Sequence, residues 1–198
     1  MRTIGITGGI GAGKSYVLEY IRSHFPCVIY LADDIAKALE KKGCVCFDPI
    51  VACLGEEILG DDGEIVPAKM AQKIFSDDKL RTRVNEIIHP AVRSFVISEI
   101  ERLQAEGEIA FFFLEAALLI EERYDLILDE LWYVYADPEV RASRLSSSRG
   151  YSDEKIRSIM SKQQTDKTFR EYCKVIIDNS GDFETTCHQI DSILEEYL

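Results

Sequence analysis

Short, mainly apolar runs alternate along the chain with segments in which apolar residues recur at helical spacing. Strands are predicted at residues 3–7, 27–32, 109–116, 130–136 and 174–178, because uninterrupted apolar runs are typical of strands buried on both faces. Helices are predicted between them, as where Val17, Leu18 and Ile21 share one face. This alternation predicts an α/β fold with a five-stranded parallel sheet flanked by helices.

Two intervals are longer than a simple crossover helix requires. About 75 residues separate the second predicted strand from the third, which favours a helical insertion at about residues 34–108. The interval at about residues 139–174 contains nine Lys and Arg against five acidic residues. Because no linker or repeat interrupts the chain, we predict a single domain over residues 1–198, with both intervals as elaborations.

The acidic composition narrows the range of partners. The 198 residues carry a formal net charge of −12, and 46% are hydrophobic. Since phosphate backbones are bound by clustered Lys and Arg, a nucleic-acid partner is not expected. The longest apolar run, residues 109–120, is interrupted by Glu115 and is shorter than the roughly 20 residues that span a bilayer. We therefore expect no membrane partner and a cytoplasmic location. The sequence does not determine the oligomeric state, and a monomer is our starting assumption.

The six cysteines do not form a recognisable metal motif. Cys44, Cys46 and Cys53 lie close together in the sequence but lack the second pair and the histidine typical of a zinc site. A chain of this size with a good core does not need disulfides. We interpret the cysteines as reduced structural thiols.

Residues 8–15, Gly-Gly-Ile-Gly-Ala-Gly-Lys-Ser, match the phosphate-loop pattern GxxxxGK[ST]. In such a loop the glycines turn backbone N–H groups toward phosphate, Lys14 reaches the β and γ phosphates, and Ser15 ligates Mg²⁺. A predicted strand before the loop and a predicted helix after it supply the expected context. A glycine-rich turn is the alternative, and a dinucleotide-binding loop has no use for Lys14 and Ser15.

Acidic residues follow two of the predicted strands. Asp33 and Asp34 come after the second strand, and carboxyl ends of strands are where open α/β sheets bind ligands. Asp33 is our candidate general base, while the alternative is that one of these acids caps the helix predicted at residues 35–41. Glu115 ends the third strand, where it either binds water on a metal or is an isolated acid.

The basic interval suggests a lid over the nucleotide. Arg141 and Arg144 lie three residues apart on one helical face, and Arg149 follows a serine-rich turn. Such residues can neutralise the charge that develops on a transferring phosphate. A solvated charged face is the alternative, and we prefer it for Lys155, Arg157 and Lys162.

Together these residues resemble the dephospho-CoA kinase family over essentially the whole chain. The matching stretches are residues 6–15, 32–33, 62–63, 88–92 (Ile-His-Pro-Ala-Val), 118–121, Gln163 and 177–181 (Ile-Asp-Asn-Ser-Gly). The resemblance implies a P-loop kinase fold and an enzyme that uses ATP and Mg²⁺ to phosphorylate dephospho-CoA, the last step of coenzyme A synthesis.

The resemblance also implies roles for individual residues. Asp33 would be the base on the ribose 3′-hydroxyl, and adenine would lie near Asn179, while Arg149 is our own candidate for a further substrate contact. His89 would lie in the insertion that receives the acceptor, although His89 and Pro90 alone are equally consistent with a helix start. The catalytic group would be Asp33, Lys14, Arg141 and Arg144. ATP would bind Gly11, Ala12, Gly13, Lys14, Ser15 and Tyr16.

The chain departs from the family pattern at several positions. Leu31 stands where an Asp is usual, Pro67 where Arg is usual, and Ala117 where Pro is usual. Ser148 occupies the position of the second lid arginine, and we expect Arg149 to replace it. These changes affect the assignment of the acceptor more than that of ATP.

Three other functions fit parts of the sequence. One is a P-loop kinase acting on another nucleotide or sugar, and another is a nucleotide-binding regulator without catalysis. A GTP-driven switch is disfavoured because the chain has no Asn-Lys-x-Asp element.

Overall fold

Five strands form one parallel sheet in the computed structural model, which describes all 198 residues. The strands are β1 (Arg2–Thr7), β2 (Cys27–Leu31), β3 (Phe111–Glu115), β4 (Glu130–Tyr135) and β5 (Val175–Asp178). Their order across the sheet is β2-β3-β1-β4-β5. All five predicted strands are therefore found, with ends that differ by one or two residues.

The central strand β1 owes its position to side chains that are apolar on both faces. Ile4 lies opposite Phe113 of β3, and Ile6 lies opposite Trp132 of β4. All four side chains are fully buried. This continuous burial fixes the register, and it places the end of β1 and the loop that follows between the ends of β3 and β4.

Nine α-helices connect or follow the strands. They are α1 (Lys14–His24), α2 (Ala32–Leu39), α3 (Phe47–Leu54), α4 (Pro67–Ser76), α5 (Asp78–Glu106), α6 (Pro138–Arg149), α7 (Asp153–Met160), α8 (Asp166–Tyr172) and α9 (Phe183–Tyr197). None of them is long and apolar enough to cross a membrane.

The chain divides into two compact units. The first comprises residues 1–30 and 103–198, and it contains nearly all of the sheet and helices α1 and α6 to α9. The second comprises residues 31–102, which include α2, α3, α4 and most of α5. The core of the second unit contains Ile50, Leu54, Ile58 and Val84 together with the buried thiol of Cys46.

Two of the alternative interpretations were wrong. Asp33 and Asp34 do not cap α2, because the helix begins immediately after β2 and the N-cap position falls on Leu31. Both carboxylates lie instead in the first helical turn, where the helix dipole favours negative charge. Pro90 does not start a helix, since it lies inside α5, whose apolar residues before and after the proline are buried. The helix therefore continues through the proline.

Candidate functional site

The phosphate loop joins β1 to α1 through a backbone that requires glycine. Gly8, Gly11 and Gly13 have positive φ angles of 148°, 79° and 93°. A Cβ atom on Gly8 would also overlap the carbonyl oxygen of Val134 in β4. Gly13 precedes α1, and the first N–H groups of a helix have no acceptor within it. The loop is thus built as an anion-binding turn at a helix N-terminus.

Lys14 folds back across the loop to Glu115. Its Nζ atom donates a hydrogen bond to the carbonyl oxygen of Gly8 at 2.9 Å and lies 3.4 Å from Oε1 of Glu115. Only 17% of the Lys14 side chain and 23% of the Glu115 side chain are exposed. The structure therefore brings the acid at the end of β3 into contact with the loop lysine.

Arg141 reaches the loop from α6. Its Nε donates to the carbonyl oxygen of Ile10 at 2.9 Å, and Nη2 donates to Oε1 of Gln163 at 2.6 Å. A Cβ atom on Gly9 would overlap this guanidinium. Burial lowers the pKa of Arg141 below its usual value, and neither acceptor is a carboxylate. A partly desolvated cation with neutral partners is a suitable contact for a phosphate group.

Arg144 and Asn179 support the next part of the loop. The Asn179 side chain donates to the carbonyl oxygen of Ala12 at 2.7 Å, and its Oδ1 accepts from the hydroxyl of Thr186 at 3.0 Å. Arg144 donates to the carbonyl oxygens of Asn179 at 2.8 Å and Ala12 at 3.4 Å. Asn179 is only 3% exposed. Both polar atoms of its carboxamide are therefore hydrogen-bonded to other residues of the protein.

The remaining predicted residues of the first unit are on the surface. Ser15 is exposed in the first turn of α1, and 72% of Tyr16 is exposed. The Tyr16 ring lies edge-on to Phe183, with 6.1 Å between the ring centroids. Arg149 is exposed at the end of α6, and its guanidinium lies 6.0 Å from the Tyr151 ring. Arg149 thus has a different environment from Arg141 and Arg144, which contact the loop.

Asp33 and His89 belong to the second unit. Asp33 is exposed in the first turn of α2, two residues after β2 ends. Its neighbour Asp34 pairs with Lys37 at 2.9 Å. His89 is partly buried in the middle of α5.

Two residues of the loop surroundings had no role assigned from sequence. Gln163 was part of the resemblance, but only the folded chain shows that its Oε1 accepts from both Arg141 and the N–H of Ile10. Thr7 ends β1 with a fully buried hydroxyl that has no hydrogen-bond partner. Its position directly before the glycine-rich loop, within the matching stretch at residues 6–15, is the sequence signal that could have pointed to it.

A family model described as CoaE, dephospho-CoA kinase, matches residues 2–185. The chain belongs to the dephospho-CoA kinase family. Curated relatives include the dephospho-CoA kinase of Streptococcus agalactiae, which is 36% identical over 98% of both chains. That of Listeria innocua is 31% identical over 100% of this chain and 98% of the relative.

Solved structures share the fold of this family member. The crystal structure of TT1252 from Thermus thermophilus superposes with a TM-score of 0.80 at 27% identity, covering 98% of this chain and 97% of the other. The dephospho-CoA kinase from Campylobacter jejuni gives a TM-score of 0.74 at 19% identity, covering 99% of this chain and 97% of the other. Shikimate kinase from Acinetobacter baumannii gives a TM-score of 0.54 at 15% identity, covering 100% of this chain and 96% of the other. The predicted P-loop kinase fold is confirmed.

Proposed function

We propose that this protein transfers the γ-phosphoryl group of ATP to the ribose 3′-hydroxyl of dephospho-CoA, giving coenzyme A and ADP. The observation that carries this proposal is a family match that includes both the phosphate loop and residues 31–102 of the second unit. The curated relatives, which are both named dephospho-CoA kinase, align over almost the entire chain. Coenzyme A synthesis would end with this step.

ATP is proposed to bind along the phosphate loop from Gly11 to Tyr16. The N–H groups of Lys14 and Ser15, which open α1, have no acceptor within the helix, and the helix dipole favours negative charge there. An incoming phosphate can draw Lys14 away from Gly8 and Glu115, because it offers more charge than either present partner. We place adenine near the backbone that flanks Asn179, since the carboxamide of that residue is already hydrogen-bonded.

The residues beside the loop fit Mg²⁺. Ser15 presents an exposed hydroxyl, and Glu115 presents a carboxylate with Lys14 as a neighbour, which are the oxygen donors that Mg²⁺ prefers. Ser15 would bind the ion directly, and Glu115 would bind it through water. When bound, Mg²⁺ would neutralise charge on the β and γ phosphates.

Asp33 is proposed to accept the proton of the 3′-hydroxyl. The hydroxyl oxygen then forms a bond to the γ-phosphorus, while the bond from that phosphorus to the β,γ-bridging oxygen breaks and ADP leaves. The position of Asp33, two residues after the carboxyl end of β2, supports this role. Arg141 and Arg144 would balance the charge that develops during transfer.

The longer intervals are proposed to serve the acceptor and the nucleotide. Residues 34–108 would receive dephospho-CoA, with His89 as a contact, and residues 139–174 would cover the nucleotide, with Arg149 as a further contact. We propose a cytoplasmic monomer, an assignment with which six free cysteines are compatible.

A comparison of acceptors tests the proposed reaction. The protein is incubated with ATP, Mg²⁺ and one acceptor at a time, namely dephospho-CoA, shikimate, adenosine or a nucleoside monophosphate, and ADP release is measured. We expect release with dephospho-CoA to exceed release with the others by at least 100-fold. Preference for another acceptor would reassign the substrate. ATP binding without turnover of any acceptor would indicate a regulator.

A further inference from the structure

The peptide groups on both sides of Ile10 are held by a pair of polar side chains outside the phosphate loop. The N–H of Ile10 donates to Oε1 of Gln163 at 3.2 Å, and its carbonyl oxygen accepts from Nε of Arg141 at 2.9 Å. The ring of contacts closes because Nη2 of Arg141 donates to the same Gln163 oxygen at 2.6 Å. Three residues distant in sequence therefore form one closed hydrogen-bonded unit.

Gln163 determines the orientation of the guanidinium in this arrangement. Its single oxygen accepts two hydrogen bonds, so it fixes the distance between the Ile10 N–H and Nη2 of Arg141. Because the guanidinium is planar, fixing Nε on Ile10 and Nη2 on Gln163 also fixes the direction of Nη1. The arginine is thus oriented before any ligand arrives.

Gln163 also accepts one of the N–H donors of the phosphate loop. The N–H of Ile10 is thereby turned toward the segment between α7 and α8. The first N–H groups of α1, in contrast, have no acceptor within the helix. Without that acceptor, the Ile10 N–H loses its partner, and of the two contacts that orient the guanidinium only the one from Nε to the Ile10 carbonyl oxygen remains. Loss of Gln163 therefore allows Arg141 to turn about that remaining contact.

We propose that Gln163 is a positioning residue, which acts through Arg141 to orient its guanidinium toward the triphosphate of the bound nucleotide. This inference rests on the proposed function only for the identity of the nucleotide. It does not depend on which acceptor is phosphorylated.

The neighbouring glutamine provides a matched control. Gln164 is also partly buried, but its side-chain nitrogen donates to Glu121 at 2.9 Å rather than contacting the phosphate loop. Gln163→Met and Gln164→Met remove the same polar group from adjacent positions and leave side chains of similar length. Thermal unfolding of both variants establishes that each is folded before function is measured. If Gln163→Met does not fold, Gln163→Asn withdraws the acceptor oxygen while keeping an amide.

The test is a double-mutant cycle on nucleotide binding. Calorimetry measures the Kd of the non-hydrolysable analogue adenylyl imidodiphosphate with Mg²⁺ for the parent protein, Gln163→Met, Arg141→Met and the double variant. We expect Gln163→Met to weaken binding at least fivefold in the parent and less than twofold in the Arg141→Met background. Gln164→Met should stay within twofold of the parent.

Two results would overturn the proposal. One is a decrease in nucleotide affinity of less than fivefold when Gln163→Met is made in the parent. The other is the same decrease in affinity with and without Arg141, which is expected if Gln163 only supports the fold. No acceptor is present in this assay. A protein that fails to phosphorylate dephospho-CoA would refute the proposed function and leave the test of Gln163 intact.

Discussion

The Nζ atom of Lys14 lies 3.4 Å from a carboxylate oxygen of Glu115, in a partly buried position beside the phosphate loop. In this arrangement the acid at the end of β3 neutralises the lysine that is proposed to bind phosphate. We therefore propose that nucleotide and Glu115 compete for Lys14, and that Mg²⁺ would give Glu115 a new partner as the lysine leaves. On this proposal the Lys14 and Glu115 pair would link nucleotide binding to metal binding.

Glu115→Gln should change the dependence on Mg²⁺. We expect the Mg²⁺ concentration for half-maximal activity to rise by about tenfold, a typical effect of removing an outer ligand to a metal. Binding of ATP without metal should be unchanged or tighter, because Lys14 loses a competing carboxylate. Steady-state assays at varied Mg²⁺ and calorimetry with EDTA measure the two effects. An unchanged Mg²⁺ requirement would remove Glu115 from the proposed metal site.

Asp33→Asn should abolish most of the turnover while preserving nucleotide binding. A general base contributes about 100-fold or more, and the substitution leaves the phosphate loop untouched. Asp34→Asn is the matched control, because Asp34 is the next residue and its exposed carboxylate pairs with Lys37. We expect its turnover to stay within twofold of the parent. Turnover of Asp33→Asn within tenfold of the parent would exclude Asp33 as the base.

Asn179→Ala should weaken ATP binding by about tenfold, because a hydrogen bond that holds the loop at Ala12 is lost. Thr186→Val is the comparison, since it removes the hydrogen bond to Oδ1 of Asn179 without touching the bond to the loop. We expect Thr186→Val to reduce stability by about 1 kcal/mol and to leave the Kd for ATP within twofold of the parent. Equal losses of ATP affinity in both variants would show that the hydrogen bond from Asn179 to Ala12 does not itself contribute to ATP binding.

Glu130→Gln should lower stability in a pH-dependent way. The Glu130 carboxylate is fully buried, and it accepts from Trp132 and Tyr197 and pairs with Lys174 at 2.9 Å. Burial acts to raise the pKa of Glu130, but the hydrogen bonds from Lys174, Trp132 and Tyr197 outweigh it, so the pKa is lowered from 4.5. A carboxyl with a lowered pKa stabilises the fold above its unfolded pKa, and this contribution is lost as the pH falls through the folded pKa.

Urea unfolding of the parent and Glu130→Gln at pH 7 and pH 3 measures this effect. We expect a loss of about 1–3 kcal/mol at pH 7, where the ionised carboxylate would be missing, and a smaller difference at pH 3. The same difference at both pH values would show that packing rather than charge accounts for it.

The sheet could be predicted from sequence because its strands are apolar on both faces. In β3, Phe111, Phe112, Phe113 and Leu114 are all buried, and no helical arrangement of a small domain would bury four consecutive side chains as completely. The phosphate loop was equally predictable, since its glycines are required by backbone angles. Strong local requirements of this kind are visible without tertiary contacts.

The continuity of α5 and the start of α2 could not be predicted in the same way. Pro90 is a good first residue for a helix, but burial of Val84 on one side and Val92 and Val96 on the other favours one unbroken helix. Asp33 is a good N-cap residue, but β2 runs directly into the helix and leaves the cap position to Leu31. In both cases packing outweighed the local preference.

The partners of the site residues were also hidden from sequence. Arg141 and Arg144 stood out by charge, yet their hydrogen bonds to loop carbonyl oxygens depend on how α6 packs against Gly11. Asn179 is a polar residue in a matching motif, but the sequence does not reveal that its side chain donates a hydrogen bond to the phosphate loop. Such pairings join residues more than 100 positions apart.

The most direct test of the account is the mass of the product formed from dephospho-CoA. The purified protein is mixed with ATP, Mg²⁺ and dephospho-CoA, with Lys14→Ala as a control, and the acceptor is followed by mass spectrometry with fragmentation to locate the phosphate. We expect coenzyme A, phosphorylated on the ribose 3′-oxygen, from the parent and almost none from the control. Unmodified dephospho-CoA from a folded parent that binds ATP would contradict the proposed function.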